Sequence, residues 1–329
     1  MRPSSAFRIL VIRRSSVVLP APFGPISPTI SLRASSKLTE FTAVSPPKRL
    51  VSRSARKNAE VIPLEYRVDE KFLDRMGSEL AGWTDPVARL RLAIQKNEFE
   101  LFCQPIMSLS AAGGYPMGEV LVRMREEERA LLPPGEFLPV MEHYHMMPQL
   151  DRWVVRNTVR HLAGGSRLRR CTVNLSGQTL EDREFVDFVG AELIANGVAP
   201  DSLAFEIDES DTLARLPAVE QFTAAYRVLG GKLLVDGFGH RSVSFAAIKA
   251  LGLDFVKVDG SIVRKLLTSE VARSKMNAIV RVGEALRFSI VGECVEEQDV
   301  ALRLKALGVG YAQGFGIYQP HPIATFKAP

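Results

Sequence analysis

Residues 232–259, KLLVDGFGHRSVSFAAIKALGLDFVKVD, constrain the fold more than any other stretch of this 329-residue chain. Two short runs rich in Val and Leu each end in charge, at Asp236 and at Lys257. Between them lie a Gly-Phe-Gly turn and VSFAAIKAL, whose apolar residues have helical spacing, so the stretch reads strand, loop, helix, strand. That is one βαβ unit. Both charged residues fall at or near the C-terminal end of a strand, where α/β folds place their chemistry.

The same rhythm recurs on either side. From Asp85 the helical pattern DPVARLRLAIQKNEF leads into a strand, ELFCQPIMSL, then a turn, AAGGYPMG, and a second strand, GEVLVRM, that opens on Glu119. Two helical segments, EFLPVMEHYHMM and LDRWVVRNTVRHLA, precede the strand RRCTVNLS with Asn174. EFVDFVGAELIANG and VEQFTAAYRVLGG read as helices stopped by glycine, on either side of the strand SLAFEIDES with Glu206. Beyond Lys257 the helix MNAIVRVGEALR, the strand FSIVGE with Glu293, the helix VEEQDVALRLKALG and the strand GVGYAQG with Gln313 complete the series. About eight strands alternate with helices over roughly 230 residues, the size and rhythm of a (β/α)8 barrel. A doubly wound open sheet is the competing architecture. The barrel is favoured because polar residues recur at similar depth on strand after strand, and only a closed ring brings so many strand ends to one point.

Composition bounds what such a barrel does. The net charge of +5 is uneven: residues 1–62 carry 11 Lys and Arg against 2 Asp and Glu, which leaves −4 for the rest. Basic character therefore belongs to an N-terminal Ser/Arg/Pro-rich stretch, read as a disordered tail or a misplaced start, and no DNA or RNA partner is expected. The expected organisation is this tail over 1–62, a linker and lead-in helix over 63–89, the barrel over 90–323 and a short C-terminal tail over 324–329. Cys103, Cys171 and Cys294 lie far apart with no CxxC pairing, which fits a reducing cytoplasm and argues against structural zinc. The apolar runs near the start are too short for a bilayer span, so no membrane association is expected and the expected location is cytoplasmic.

Glu119, Glu206 and Asp236, with the amide oxygen of Asn174, form a hard oxygen-donor set suited to Mg²⁺ or Mn²⁺. So many carboxylates in one mouth repel unless a cation compensates them. Lys257 supplies one positive charge, able to orient a water or hold a phosphate, and Glu293 could complete a second metal position. Such clusters activate water against a phosphodiester. From these residues alone, a rival is an enolase-like site that abstracts a proton beside a carboxylate.

The ordered motifs QPI (104–106), EVLVR (119–123), VNLS (173–176), FEIDES (205–210), VDGFG (235–239), VKVD (256–259), GECVE (292–296) and QGFGIYQP (313–320) resemble the EAL domain family. That family comprises bacterial cyclic di-GMP phosphodiesterases and their non-catalytic relatives. The resemblance covers about residues 90 to 323. It implies a TIM-like barrel, one or two Mg²⁺ or Mn²⁺ ions, and hydrolysis of cyclic di-GMP to linear pGpG. Glu119, Asn174, Glu206 and Asp236 match first-metal ligands, and Lys257 matches a water-orienting lysine. Glu293 and Gln313 match residues at the second metal and its waters, Gln104 and Arg123 match nucleotide contacts, and Glu296 matches a glutamate that anchors the loop after the fifth strand.

The departures are as informative. Where the family has a second consecutive aspartate, a second-metal ligand, this chain has Gly237, and Arg241 replaces a glycine of the following loop. A divalent site short of one carboxylate should hold its ion weakly, so hydrolysis is expected to be slow or lost. His240 and Asp208 are the candidates to replace the missing ligand, although Asp208 has the position of a helix cap. Three readings follow: a cyclic di-GMP receptor that signals to a protein partner, a working phosphodiesterase, and an adaptor without nucleotide. Pairing through the barrel as a homodimer accompanies the resemblance.

Overall fold

A computed structural model describes residues 83, 85–125, 131–166, 168–240 and 245–325. The expected tail over 1–62, most of the lead-in and Arg241 lie outside these residues. The strands are β1 (Phe99–Ser108), β2 (Met117–Arg125), β3 (Leu131–Leu132), β4 (Arg170–Asn174), β5 (Leu203–Asp208), β6 (Lys232–Phe238), β7 (Phe255–Val258), β8 (Ser289–Gly292), β9 (Tyr311–Ala312) and β10 (His321–Pro322). The helices are α1 (Pro86–Gln95), α2 (Pro134–His143), α3 (Met147–Ala163), α4 (Gly177–Leu180), α5 (Phe185–Ala195), α6 (Glu209–Ala214), α7 (Leu216–Val228), α8 (Phe245–Leu251), α9 (Gly260–Val263), α10 (Glu270–Leu286) and α11 (Gln298–Ala306).

Eight of the strands close a ring in the order β1-β9-β8-β7-β6-β5-β4-β2, with β2 returning to β1. The barrel expected from the sequence is thus present, with one correction. β1 runs antiparallel to both β2 and β9, whereas β2 and β4 to β9 are parallel throughout. The cause is local: residues 109–116 are too few for a crossover between parallel strands, so the chain turns back as a hairpin with Phe99 opposite Met124 and Ile106 opposite Met117. The upper half of β1 then pairs with β10 and its lower end with β9.

Alternation along the strands separates two apolar regions. Outward residues such as Cys103, Val120, Val173, Phe205, Val235, Val256 and Ile290 join the main core between the sheet and the helices, where each large side chain contributes about 1.5–3 kcal/mol. Inward residues Ile106, Met117, Leu234, Phe255 and Val291 pack against Tyr311 and close the bottom of the barrel. The Arg170 guanidinium seals that floor, lying 5.3 Å from the centroid of the Phe255 ring and donating from Nε to the Asp201 carbonyl at 2.6 Å. Because strand side chains repeat every second residue, the floor predicts what lies above it. Glu119, Asp236, Lys257, Glu293 and Gln313 each follow a floor residue by two positions, and Gln104 precedes Ile106 by two on the reversed strand.

Three short helices that hydropathy patterning does not reveal, α4, α6 and α9, begin within a few residues of β4, β5 and β7. Their N-caps are Ser176, Asp208 and Asp259, which accept from the backbone N–H groups of Thr179, Ser210 and Ser261. These turns fix the direction in which the chain leaves the barrel mouth.

Candidate active site

Lys257 is buried at the centre of the upper ring. Its Nζ lies 2.5 Å from Glu206 Oε2, 3.0 Å from Glu119 Oε2 and 3.9 Å from Asp236 Oδ1. Glu119 also accepts from Asn174 Nδ2 at 2.9 Å and from Gln313 Nε2 at 2.7 Å. Gln313 donates to Gln104 Oε1 at 3.2 Å, and Gln104 passes the chain of bonds to the Tyr318 carbonyl at 3.0 Å. Six strands (β1, β2, β4, β5, β6 and β7) and the segment after β9 are thereby joined in one network.

Burial is the largest influence on Glu119, Glu206 and Lys257, and the neighbours decide the outcome. It would raise the Glu119 carboxyl, but the Lys257 ammonium and the hydrogen bonds from Asn174 and Gln313 outweigh it and hold Glu119 below its ordinary value. It pushes the Glu206 carboxyl up to about 8, reinforced by the charges of Glu119 and Asp236 and opposed by Lys257. Burial alone would lower Lys257, yet Glu119, Glu206 and Asp236 together hold it well above its usual range. One ammonium is thus shared by three carboxylates that it cannot fully neutralise.

The donor set suits a hard divalent cation. Among the described residues no three of His, Cys, Asp and Glu already form a metal-holding cluster, and the reason is visible in the distances: the Lys257 ammonium stands among the carboxylates that would face an ion. Glu206 Oε1, buried and without a hydrogen-bond partner, is an acceptor that an ion or its water would satisfy. Gln313 Oε1 is in the same condition.

The other expected site residues occupy different positions. Gln104 is buried inside the network, both ends of its amide engaged. Arg123 lies towards the rim, 5.5 Å from the Phe102 ring centroid, with Nη1 donating to the Val122 carbonyl; burial lowers its pKa and Glu119 opposes the shift. Glu293 follows β8 and accepts from Gly260 N at 2.6 Å, holding the first turn of α9. Glu296, the expected loop anchor, is exposed and makes no hydrogen bond or ion pair among the described residues, which leave out 241–244 of the loop after β6. Glu209, buried at the start of α6, accepts from Gly239 N in the loop after β6 at 3.1 Å. His240 is exposed, with Nδ1 4.0 Å from Asp259 Oδ2.

Other residues outside the expected set support the site. Asp151 is a carboxylate on the buried face of α3, beside Leu150 and Val154, and it accepts from Ser176 N at 2.9 Å and Thr179 Oγ1 at 2.7 Å. It thereby fixes the segment that follows Asn174 at the end of β4. A charged residue on an apolar helical stripe was the available signal for it. Gly314 and Gly316 let the segment after β9 lie directly on the backbone after β8: a Cβ on either would stand 2.1 Å from the Val295 or the Glu296 carbonyl oxygen. Gln313 is positioned by that approach.

A closed barrel with buried carboxylates, an amide and one lysine gathered at the C-terminal ends of its strands defines a hard oxygen-donor site at the place where such barrels carry their chemistry. The chain belongs to the EAL domain family, whose profile matches residues 87–320. It is 30% identical over 241 residues to the cyclic di-GMP phosphodiesterase PdeB of Shewanella oneidensis, covering 72% of this chain and 28% of that protein. Over 238 residues it is 28% identical to the cyclic di-GMP phosphodiesterase PdeF of Escherichia coli, covering 71% of this chain and 32% of that one. This chain therefore spans about a third of the length of these curated relatives. Among solved structures, the FimX EAL domain from Pseudomonas aeruginosa bound to cyclic di-GMP superposes with a TM-score of 0.68 at 29% identity, covering 72% of this chain and 96% of that one. No helix among the described residues is long and apolar enough to cross a membrane.

Proposed function

We propose that this chain binds cyclic di-GMP at the barrel mouth together with Mg²⁺ or Mn²⁺, and hydrolyses it slowly to pGpG. The observation that carries the reading is the buried ring of Glu119, Glu206 and Asp236 around Lys257, with Glu206 Oε1 lacking a hydrogen-bond partner. The relatives named for this nucleotide support the choice of ligand.

Glu119, Asn174, Glu206 and Asp236 are the residues that would hold the ion. A bound divalent ion supplies Lewis-acid polarisation of a phosphoryl oxygen and lowers the pKa of its water. Lys257, fixed by Glu119 and Glu206, offers an ammonium to orient the attacking water. Arg123 at the rim offers a guanidinium to a phosphate. Gln313 holds Glu119 in place by donating to it, and Gln104 in turn accepts from Gln313.

Gly237 is why turnover is slow. At this position β6 has a register shift against β7, and Gly237 adopts a φ of +69°. The backbone turns here without a side chain, so no carboxylate is delivered beside Asp236. The test measures cyclic di-GMP binding and its Mn²⁺-dependent conversion to pGpG for the unaltered chain, Gly237→Asp and Glu119→Gln. Asp is among the residues that tolerate left-handed backbone, at a cost of roughly 1–2 kcal/mol. The expected result is nucleotide binding by the unaltered chain, with conversion at least ten times faster in Gly237→Asp and absent in Glu119→Gln. Equal rates in the unaltered chain and Gly237→Asp would overturn the slow-turnover reading. Failure of the unaltered chain to bind the nucleotide would overturn the whole proposal.

A further inference from the structure

Thr172 lies on β4 two residues before Asn174, with Glu119 on β2 and Ala204 on β5 as its register partners. Alternation turns it inward, because Cys171 and Val173 on either side of it belong to the main core outside the sheet. Four alternate strands of the ring supply the tier directly under the carboxylates: Ile106, Thr172, Leu234 and Val291, each two residues from Gln104, Asn174, Asp236 or Glu293. Three of the four are apolar members of the floor. Thr172 alone brings a hydroxyl.

That hydroxyl is 0% exposed and has no hydrogen-bond partner among the described residues. A buried hydroxyl left in this condition costs stability that a methyl group of the same size would not. Of the two carboxylates on the neighbouring strands, Glu119 is fully engaged, Oε1 by Asn174 and Oε2 by Lys257 and Gln313. Glu206 is not: Lys257 bonds to Oε2, while Oε1 is buried and accepts no hydrogen bond. Glu206 stands two residues beyond Ala204, the partner of Thr172 on β5. Such diagonal positions lie about 7–8 Å apart at the backbone, a gap between their side chains that one water spans. Ala204, buried and inward beneath Glu206, leaves room for it with a single methyl group.

We propose that Thr172 holds one buried water against Glu206 Oε1 from beneath, so that Lys257 fixes one oxygen of this carboxylate and the water fixes the other. Thr172 is then a positioning residue for the ring. A carboxylate oxygen carries two lone pairs, so Oε1 accepts from the water and still has one to offer an ion. The inference deepens the metal-binding reading and rests on it for the role at the ion, whereas the water needs no metal.

The test compares the full chain with Thr172→Val, which keeps the shape and removes the hydroxyl, and with Thr172→Ser, which keeps the hydroxyl. In metal-free melts Thr172→Val should lower the melting temperature by about 2–4 °C, since a bridged hydroxyl is a lost bond; relief of an unbridged one would raise it. Mn²⁺ titrated alone and read by electron paramagnetic resonance should bind about tenfold more weakly to Thr172→Val, with Thr172→Ser retaining the unaltered affinity. A crystal structure of the metal-free chain should show a water within about 3.2 Å of both oxygens. A melting temperature that holds or rises in Thr172→Val, equal weakening of Mn²⁺ in both variants, or a dry Thr172 would overturn the inference and leave the proposed function standing. Failure of the unaltered chain to bind Mn²⁺ would overturn the proposed function and the role of Thr172 at the ion, and the melts and the structure would still decide the water.

Discussion

Replacing Lys257 with Met removes the ammonium from between three carboxylates while keeping most of the side-chain volume. At an effective dielectric of about 20, contacts at 2.5 and 3.0 Å correspond to roughly 7 and 6 kcal/mol before desolvation is counted. Desolvation of the buried ammonium offsets several kcal/mol of that. Glu206, already pushed up to about 8, takes a proton readily in the variant, which caps the remaining loss. The net deficit expected is about 3–5 kcal/mol, the range for breaking a buried ion pair by removing one partner. In a domain of this size that is about 6–20 °C in melting temperature. The deficit should also depend on pH. With the ammonium gone, the folded-state pKa values of Glu119 and Glu206 lie above their unfolded values, so these groups destabilise the fold increasingly as pH rises. The difference between the two proteins should therefore be largest near pH 8.5 and shrink towards pH 5.5. Thermal melts of both proteins, free of metal, at the two pH values are the assay. A deficit under about 1 kcal/mol, or one that does not change between them, would refute the assignment of Lys257 as the counter-ion of the ring.

Gly314→Ala should destabilise the barrel by more than about 3 kcal/mol, because its Cβ would meet the Val295 backbone at 2.1 Å; soluble protein with an unchanged melting temperature would contradict the close approach. Glu209→Ala should leave Gly239 N without its carboxylate acceptor, costing roughly 1–3 kcal/mol and loosening the loop after β6, seen as faster amide exchange at Gly239. Burial raises the Cys103 and Cys171 thiols, the latter to about 12. Neither should react with a thiol reagent at pH 8 in the folded protein, and labelling of either before unfolding would count against their placement.

Most of the upper ring was legible because period-2 alternation is a short-range property: once Leu234 and Phe255 are read as inward, Asp236 and Lys257 must be inward too. The reversal of β1 was not legible from hydropathy, since a strand has the same pattern in either direction, and only the shortness of residues 109–116 encodes it. Which glutamate is buried against the loop after β6 was not legible for a related reason. Glu296 and Glu209 both follow strands, and nothing local distinguishes the exposed one from the buried one. Gly237 could be read as a missing carboxylate, but its left-handed φ and the register shift around it arise from pairing with β7, which the sequence does not display. Asp151 acts on a loop more than twenty residues away, beyond the reach of any local window.

The reversed first strand has a consequence for the order in which the molecule is made. β1 can pair with β2 as soon as the hairpin leaves the ribosome, but its other edge stays open until β9 and β10 arrive, and the Gln104–Gln313 bond spans 209 positions. The barrel therefore closes late, through contacts of high sequence separation that carry the greatest chain-entropy cost. Until then β1 presents an unpaired edge, the kind of surface on which nascent chains associate with one another. A chain interrupted before Gln313 would lack one donor to Glu119 and would expose that edge permanently, so the step that completes the upper ring is also the step that protects the chain from aggregation.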